Sequence, residues 1–210
     1  MMILSHRGYW KESSEKNLPI AFERSFSLGF GTETDIRDYK GELVISHDIA
    51  DGACISVTHF FELYTRFGAS LPLALNIKSD GLQAKLKALL VEYKIENYFV
   101  FDMSVPDGLG YLKNDLNVFT RQSEYEKEPS FYNESTGIWL DEFQGHWITK
   151  EVIESHVKNN KQICIVSPDL HKREYKAEWK HYKLIEKELG INNLMLCTDY
   201  PEEAKEFFSE

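Results

Sequence analysis

The sequence is poor in the features that mark membrane, secreted and disulfide-rich proteins. No apolar run approaches the roughly 20 residues needed to cross a bilayer, which argues against a transmembrane segment. No basic segment followed by an apolar stretch precedes Ser5-His6-Arg7-Gly8, so no signal peptide is recognised and a cytoplasmic location is expected. Cys54, Cys164 and Cys197 are few and far apart, which predicts reduced thiols rather than a disulfide or zinc set.

Positive charge is also in short supply. The chain has 24 Lys and Arg against 34 Asp and Glu, a formal net charge of −10. Nonspecific binding to nucleic acid or to anionic membrane draws its affinity from cationic surface. Nucleic acid is therefore not an expected partner, and any bound phosphate needs a local positive spot.

Boundaries between domains are likewise missing. No low-complexity stretch, linker or short repeat interrupts the 210 residues. The 42% hydrophobic and 28% charged residues are typical of a globular protein with one real core. We predict a single domain over residues 1–210, whose oligomeric state the sequence leaves open.

What the chain does contain is an alternation of short apolar runs with amphipathic segments, which predicts a parallel sheet with crossover helices. The strand-sized runs are Met2–Ser5, Gly31–Ile36, Leu43–Ser46, Leu73–Lys78, Tyr98–Met103, Asn117–Arg121, Gly137–Phe143, Gln162–Ser167 and Asn193–Thr198. Helix-like segments include Leu18–Leu28, Gly81–Tyr93, Thr149–Asn159, Glu174–Leu189 and Pro201–Phe208.

The count of runs favours a closed barrel. Only six residues separate Gly31–Ile36 from Leu43–Ser46, too few for a helical crossover, so these two runs form a hairpin. With the hairpin as one station there are eight, which predicts a compact (β/α)₈ TIM barrel; a doubly wound open sheet is the alternative. Polar residues at the C-terminal ends of the runs favour the barrel, whose active sites form there.

Two carboxylates, Glu33 and Asp35, stand two residues apart and so face the same side of a strand. Adjacent carboxylates repel each other unless a cation lies between them. A hard divalent ion that prefers oxygen ligands, Mg²⁺ or Ca²⁺, is the expected occupant.

Two histidines close strands near these acids: His6 ends the first run and His47 ends the hairpin. Such a pair is suited to general acid and base catalysis on a phosphodiester. Lys78, two residues after Asn76, and Arg7 are the cations expected to hold the phosphate.

These motifs together resemble the glycerophosphodiester phosphodiesterase family. The chain reads His6-Arg7-Gly8, then Glu15-Lys16-Asn17-Leu18, Glu33-Thr34-Asp35 and Ile45-Ser46-His47-Asp48, with Cys197-Thr198-Asp199-Tyr200-Pro201 near the far end. The resemblance covers nearly the whole chain. It implies a (β/α)₈ barrel, a divalent metal on Glu33 and Asp35, acid/base histidines at His6 and His47, and phosphate contacts from Arg7 and Lys78.

The chain departs from the family pattern in two places. Asn76-Ile77-Lys78 stands where the family usually has Glu-x-Lys, and the related sphingomyelinases D have Asp-x-Lys. Asn76 is therefore a neutral third metal ligand, with Asp141 or Glu142 as possible replacements. The insertion that commonly covers the family's substrate pocket is missing between His47 and Leu71, which leaves the substrate open.

The sequence thus predicts a metal-dependent phosphodiester hydrolase acting on a small substrate, a glycerol- or sugar-phosphodiester. Two alternatives stay open: a catalytically weak barrel that binds a phosphate ligand, and a metal-free phospholipase C-like enzyme that uses histidines and cations alone.

Overall fold

The computed structural model of the chain describes residues 1–68 and 70–209. Its strands are β1 Met2–His6, β2 Gly31–Tyr39, β3 Glu42–Ile45, β4 Leu73–Ile77, β5 Tyr98–Phe101, β6 Phe119–Ser123, β7 Gly137–Asp141, β8 Gln162–Val166 and β9 Met195–Thr198. Its α-helices are α1 Pro19–Ser27, α2 Val57–Phe67, α3 Gln83–Glu92, α4 Val105–Lys113, α5 Lys150–Lys158, α6 Lys176–Leu189 and α7 Pro201–Ser209. All nine predicted strands are therefore found.

Eight strands follow the order β5-β4-β2-β1-β9-β8-β7-β6, and β3 pairs only with β2. The pairs β2–β4, β4–β5, β6–β7, β7–β8 and β8–β9 are parallel, whereas β2–β3 is the antiparallel hairpin that the short connection predicted. This arrangement of parallel strands and helices is the predicted (β/α)₈ barrel fold. By its internal contacts the chain divides into two compact units, residues 5–118 and residues 1–4 with 119–210. The single domain stays a prediction.

An aromatic cluster between α1 and α2 anchors the unit of residues 5–118. Phe22 and Phe60 stand edge to face with ring centroids 4.6 Å apart, and Phe26 meets Tyr64 at 5.6 Å. All four side chains are buried, and together they hold α1 and α2 against each other. This packing fixes the position of α1, and with it the turn that precedes α1, beside β2.

In the unit of residues 1–4 and 119–210, α6 supplies the bulkiest core side chains. Trp179 and Tyr182 are fully buried, and each has a polar partner: the Trp179 indole donates to Ser167 Oγ at 2.9 Å, and the Tyr182 hydroxyl to Glu142 Oε2 at 2.8 Å. The helix ends at Gly190 in the left-handed conformation, as the Leu189-Gly190 pair predicted.

Two helices, α2 and α4, lie outside the segments named from the sequence. The pattern of α4 is weak because Pro106, Gly108 and Gly110 interrupt it, and α2 is rich in aromatic and β-branched residues that also favour strands. Between β6 and β7 the structure describes no helix, which is one way the barrel is shortened to fit this length. Over the described residues, every helix is too short or too polar to cross a bilayer.

Candidate active site

The turn after β1 directs a backbone N–H group at Glu33, a candidate metal ligand. Arg7 and Gly8 both have positive φ angles, 58° and 80°. A side chain at Gly8 would put its Cβ 2.9 Å from the backbone of Ala21, so only glycine fits without displacement. The turn directs the Arg7 backbone N–H at Glu33 Oε2, 3.1 Å away. The His-Arg-Gly motif therefore orients a carboxylate as well as supplying side chains.

Glu33, Asp35 and Asn76 form a buried set of oxygen donors on two neighbouring strands. Glu33 and Asp35 lie on one face of β2 and are 2% and 0% exposed. The register pairs Asp35 with Asn76 of β4, whose Nδ2 donates to Glu33 Oε1 at 3.3 Å. Two acceptors in this set, Asp35 Oδ1 and Asn76 Oδ1, are buried without a hydrogen-bond partner.

Two cations and one amide converge on Asp35. Arg7 Nε lies 3.1 Å from Oδ2, and Lys78 Nζ lies 3.6 Å from Oδ1. Asn17 donates from Nδ2 to Asp35 Oδ2 at 2.7 Å, and Asp102 holds Lys78 from its other side at 3.4 Å. The site therefore contains the local positive charge that a bound phosphate needs in this acidic protein. The carboxylates of Asp35 and Asp102 balance that charge.

The surroundings of Glu33 disfavour its charged form. Burial raises its pKa, and the neighbouring Asp35 charge raises it further, against the opposing effects of His6, Arg7 and Lys78. His6 Nε2 lies 4.0 Å from Glu33 Oε2. A positive ion beside Glu33 would offset this effect.

His47 reaches the same region from the β2–β3 hairpin. The Ser46 N–H donates to the carbonyl of Asp35 at 3.0 Å, which ties the end of the hairpin to the carboxylate strand. His47 is exposed, and its Nδ1 lies 3.0 Å from Asp48 Oδ1. It lines an open cavity of about 340 Å³. The polar residues around this cavity are Arg7, Ser13, Lys16, Asn17, Ser46, His47, Asp48 and Asp51.

A hard divalent cation fits the donor set. Glu33, Asp35 and Asn76 offer oxygen atoms only, which is what Mg²⁺ and Ca²⁺ prefer. Neither Asp35 Oδ1 nor Asn76 Oδ1 accepts a hydrogen bond, so both are acceptors that a cation would satisfy.

Sequence reasoning missed the residues that hold the site in shape. Asn17 adopts a positive φ of 61°, accepts from Thr34 Oγ1 at 2.9 Å and donates to Asp35. Asp102, with a φ of 71°, pairs with Lys78. The Asn-containing stretch of the family pattern was a signal for Asn17, and the position of Asp102 at a strand end was a signal for the second. Neither signal identifies the residue that Asn17 or Asp102 contacts.

The two possible replacement ligands have partners of their own. Asp141 Oδ1 is 2.6 Å from His171 Nε2. Glu142 accepts the Tyr182 hydroxyl and the backbone N–H groups of Trp147 and Ile148. Their role as metal ligands stays a prediction.

Comparisons with known proteins identify the fold. No protein-family profile and no curated protein sequence matches the chain. Among solved structures, a protein of Galdieria sulphuraria with a provisional glycerophosphodiester phosphodiesterase assignment aligns with a TM-score of 0.78 at 20% identity, over 100% of this chain and 98% of its own.

Two further structures align over nearly their full length. Glycerophosphodiester phosphodiesterase from Agrobacterium tumefaciens has a TM-score of 0.67 at 14% identity, with coverage of 100% of this chain and 99% of its own. A phosphodiesterase of Oleispira antarctica, in complex with its product sn-glycerol-3-phosphate, has a TM-score of 0.67 at 14% identity, covering 100% and 97%. The chain therefore has the (β/α)₈ barrel fold of the glycerophosphodiester phosphodiesterases that its motifs resemble.

Proposed function

We propose that the chain is a metal-dependent phosphodiester hydrolase acting on a small glycerol- or sugar-phosphodiester. The observation that carries the proposal is the buried constellation on Asp35. Two cations, Arg7 and Lys78, contact a carboxylate that belongs to an oxygen-donor set with Glu33 and Asn76. The fold shared with known phosphodiesterases, one of them holding sn-glycerol-3-phosphate, supports the same substrate class.

Charge balance explains how the set would accept an anionic substrate. Glu33 and Asp35 together neutralise one divalent ion, because Asn76 adds an oxygen but no charge. Arg7 and Lys78, which contact Asp35 in the structure, are then available to the single negative charge of a phosphodiester. A bound Mg²⁺ or Ca²⁺ supplies charge stabilisation at the phosphoryl oxygens.

The histidines carry the protons. One of His6 and His47 removes the proton of the attacking hydroxyl as its oxygen bonds to phosphorus, and the other protonates the alkoxide as its bond to phosphorus breaks. If the attacking group is water, the products are an alcohol and a phosphomonoester. If it is a neighbouring hydroxyl of the substrate, the first product is a cyclic phosphate.

Orienting contacts support this assignment. Asp48 lies beside Nδ1 of His47, which leaves Nε2 for substrate. His6 Nε2 lies 4.0 Å from Glu33 Oε2, beside the proposed metal ligands. A cytoplasmic location stays part of the sequence-based prediction.

The test is a rate assay on a panel of phosphodiesters with Mg²⁺, Ca²⁺ and Mn²⁺. We expect His6→Ala and His47→Ala each to lower the rate by roughly 10²-fold or more, as for a general acid or base. His59→Ala is the matched control, since His59 lies in the same unit on the exposed face of α2. Unchanged turnover in both test variants, with unaltered melting curves, would remove the histidines from the chemistry.

A metal-free enzyme is the second candidate, favoured by the same cations. Arg7 and Lys78 bring two positive charges against the single charge of Asp35, so the charge left over could hold a phosphodiester while the two histidines serve as acid and base. Exhaustive chelation separates the two: a metal-dependent enzyme loses its turnover, and a metal-free one retains it. Metal and phosphate-ligand binding without turnover on any substrate would indicate the binding barrel instead.

A further inference from the structure

A second set of metal-ligating side chains lies in the unit of residues 1–4 and 119–210, and the proposed reaction does not use it. Glu142, His146 and Glu178 each offer one ligand atom, and these atoms lie within 4.8 Å of one another. Within the described residues this is the one group of His, Cys, Asp and Glu side chains that meets that spacing. It shares with the phosphodiester site only Glu142, which the sequence offers there as a possible replacement ligand.

The helix α6 adds a fourth side chain at a useful spacing. Glu178 and His181 are three residues apart, so they lie on the same face of α6. Both line a cavity of about 260 Å³ together with His146 and Ala177. A Glu-x-x-His pair on one helix is a recurring metal-binding arrangement, which needs at least one further ligand from elsewhere.

His146 is the further ligand, and Glu142 orients it. His146 Nδ1 lies 2.9 Å from Glu142 Oε1. That oxygen also accepts the N–H groups of Trp147 and Ile148, both at 2.8 Å, and Oε2 accepts the Tyr182 hydroxyl. With its oxygens engaged by four donors, Glu142 is a poor ligand but a good acceptor. A carboxylate on one ring nitrogen fixes the histidine tautomer and leaves the other nitrogen for a metal.

The second imidazole lies beside the first, but its nitrogens fall outside the 4.8 Å spacing of that group, so joining a shared ion requires the His181 side chain to turn. The rings of His146 and His181 have centroids 4.8 Å apart and planes at 88°. Two imidazoles on one tetrahedral ion, with bonds of about 2.0–2.1 Å, have centroids about 5 Å apart. His181 Nε2 is buried and has no hydrogen-bond partner, so it is available to bind a metal ion.

We propose that His146, Glu178 and His181 bind a nitrogen-preferring divalent ion of the Zn²⁺ class, with Glu142 as the positioning residue for His146. Two imidazoles and one carboxylate suit Zn²⁺, whereas Mg²⁺ and Ca²⁺ require oxygen donors. The competing contact is Arg173, which lies 3.2 Å from Glu178 Oε1 and competes with an ion for that carboxylate.

The test is calorimetric titration with ZnCl₂ in a large excess of Mg²⁺, which occupies the oxygen-donor set at Glu33 and Asp35. All proteins carry Cys54→Ser, which removes the half-buried thiol as a competing ligand. We expect one Zn²⁺ site in the parent protein. In His146→Ala and in His181→Ala its affinity should fall by roughly 10-fold or more, as expected when a ligand is removed.

The matched control is His59→Ala. His59 and Glu62 have the same three-residue spacing on α2, and His59 Nδ1 lies 3.5 Å from Glu62 Oε2. Within the described residues, no third ligand completes a metal-binding group there. This variant should bind Zn²⁺ like the parent. Thermal melting gives an independent readout, because a ligand that binds only the folded state raises Tm. Zn²⁺ should raise Tm in the parent and not in the His146→Ala/His181→Ala double variant.

Equal Zn²⁺ affinity and equal Zn²⁺-induced Tm shifts in the parent and the double variant would overturn the proposal, and would mean that the two rings pack only as an edge-to-face pair. Absence of Zn²⁺ binding in the parent would overturn it as well. The phosphodiesterase rate without Zn²⁺ is expected to be unchanged in both single variants, so failure here is distinguishable from failure of the proposed function.

Discussion

At the scale of the residue, Asn76 is the position where this chain differs most informatively from the family it resembles. The amide lies opposite Asp35 in the strand register, donates to Glu33 and leaves its own oxygen unpartnered. A neutral ligand there lowers the charge that attracts a metal, but it also avoids a third repelling carboxylate in a buried set.

Replacing Asn76 with Glu should therefore tighten divalent metal binding, because a carboxylate ligand and a formal charge are added at similar reach. Without metal, the variant should melt at a lower temperature than the parent, since three buried acids repel one another. Calorimetric titration with Mg²⁺ and Ca²⁺, alongside melting curves with and without metal, measures both effects.

The turnover rate of Asn76→Glu distinguishes a metal ligand tuned for activity from a ligand that was lost together with activity. If Asn76 is a tuned ligand, the rate should change little, because a third carboxylate makes the metal a poorer Lewis acid and repels an anionic substrate. If the chain lost its activity with its ligand, the rate should rise from near zero. Asn133→Glu, at an exposed position, adds the same charge as a control. Unaltered metal affinity would mean that Asn76 does not face the ion.

At the scale of the element, the turn between β1 and α1 combines unusual backbone conformations with contacts to the proposed active site. Arg7, Gly8 and Asn17 all have positive φ angles within this connection. Asn17 also donates its own N–H to the Arg7 carbonyl at 2.9 Å. Such conformations persist only where surrounding contacts hold them, and they concentrate at functional sites.

Gly8→Ala should destabilise the fold more than Gly29→Ala, and the pair forms a matched comparison. Both glycines have nearly the same φ, 80° and 77°, but a Cβ at Gly8 meets the Ala21 backbone at 2.9 Å whereas a Cβ at Gly29 meets nothing within 4 Å. We expect about 1 kcal/mol for Gly29→Ala and several kcal/mol for Gly8→Ala, measured by urea unfolding.

Metal titration extends the comparison between the two glycine variants. Because the Gly8 turn directs the Arg7 N–H at Glu33, Gly8→Ala should also weaken metal binding while Gly29→Ala leaves it unchanged. Equal losses of stability in the two variants would contradict the steric argument.

At the scale of the whole molecule, global stability should depend on pH through His156. This side chain is 6% exposed, and its two nitrogens contact the Tyr132 hydroxyl at 2.7 Å and Gln122 Oε1 at 2.9 Å. Burial, with a smaller effect of the Lys161 charge, lowers its pKa from 6.5 to about 4. The buried imidazole is therefore neutral and fully hydrogen-bonded.

The direction of the pH effect follows from proton linkage. Below pH 6.5 the unfolded chain takes up a proton at His156 before the folded chain does, so the contribution to stability is complete above pH 6.5 and is lost as the pH falls toward 4. We expect the free energy of unfolding to drop by roughly 2 kcal/mol between about pH 7.5 and pH 5 on this account. His156→Gln should remove this component, and His59→Gln should not. A parallel pH profile in the parent and in His156→Gln would show that another group is responsible.

Much of the fold followed from local pattern. The nine apolar runs, the six-residue gap that allows only a hairpin and the Leu189-Gly190 stop are properties of short segments, and the structure confirms each of them. Helix α4 was harder to anticipate, because Pro106, Gly108 and Gly110 are poor helix formers that only packing can retain in a helix.

For the candidate site, the sequence by itself determined which side chains are available: Glu33 and Asp35 on one face of a strand, and a glycine after His-Arg. Only the tertiary structure decided the partners, because strand register and helix docking bring together residues far apart in the chain. It placed Asn76 beside Asp35, 41 positions away along the sequence, and Asn17 on the same carboxylate. It likewise brought Glu178 to Glu142 and His146, which lie far earlier in the sequence.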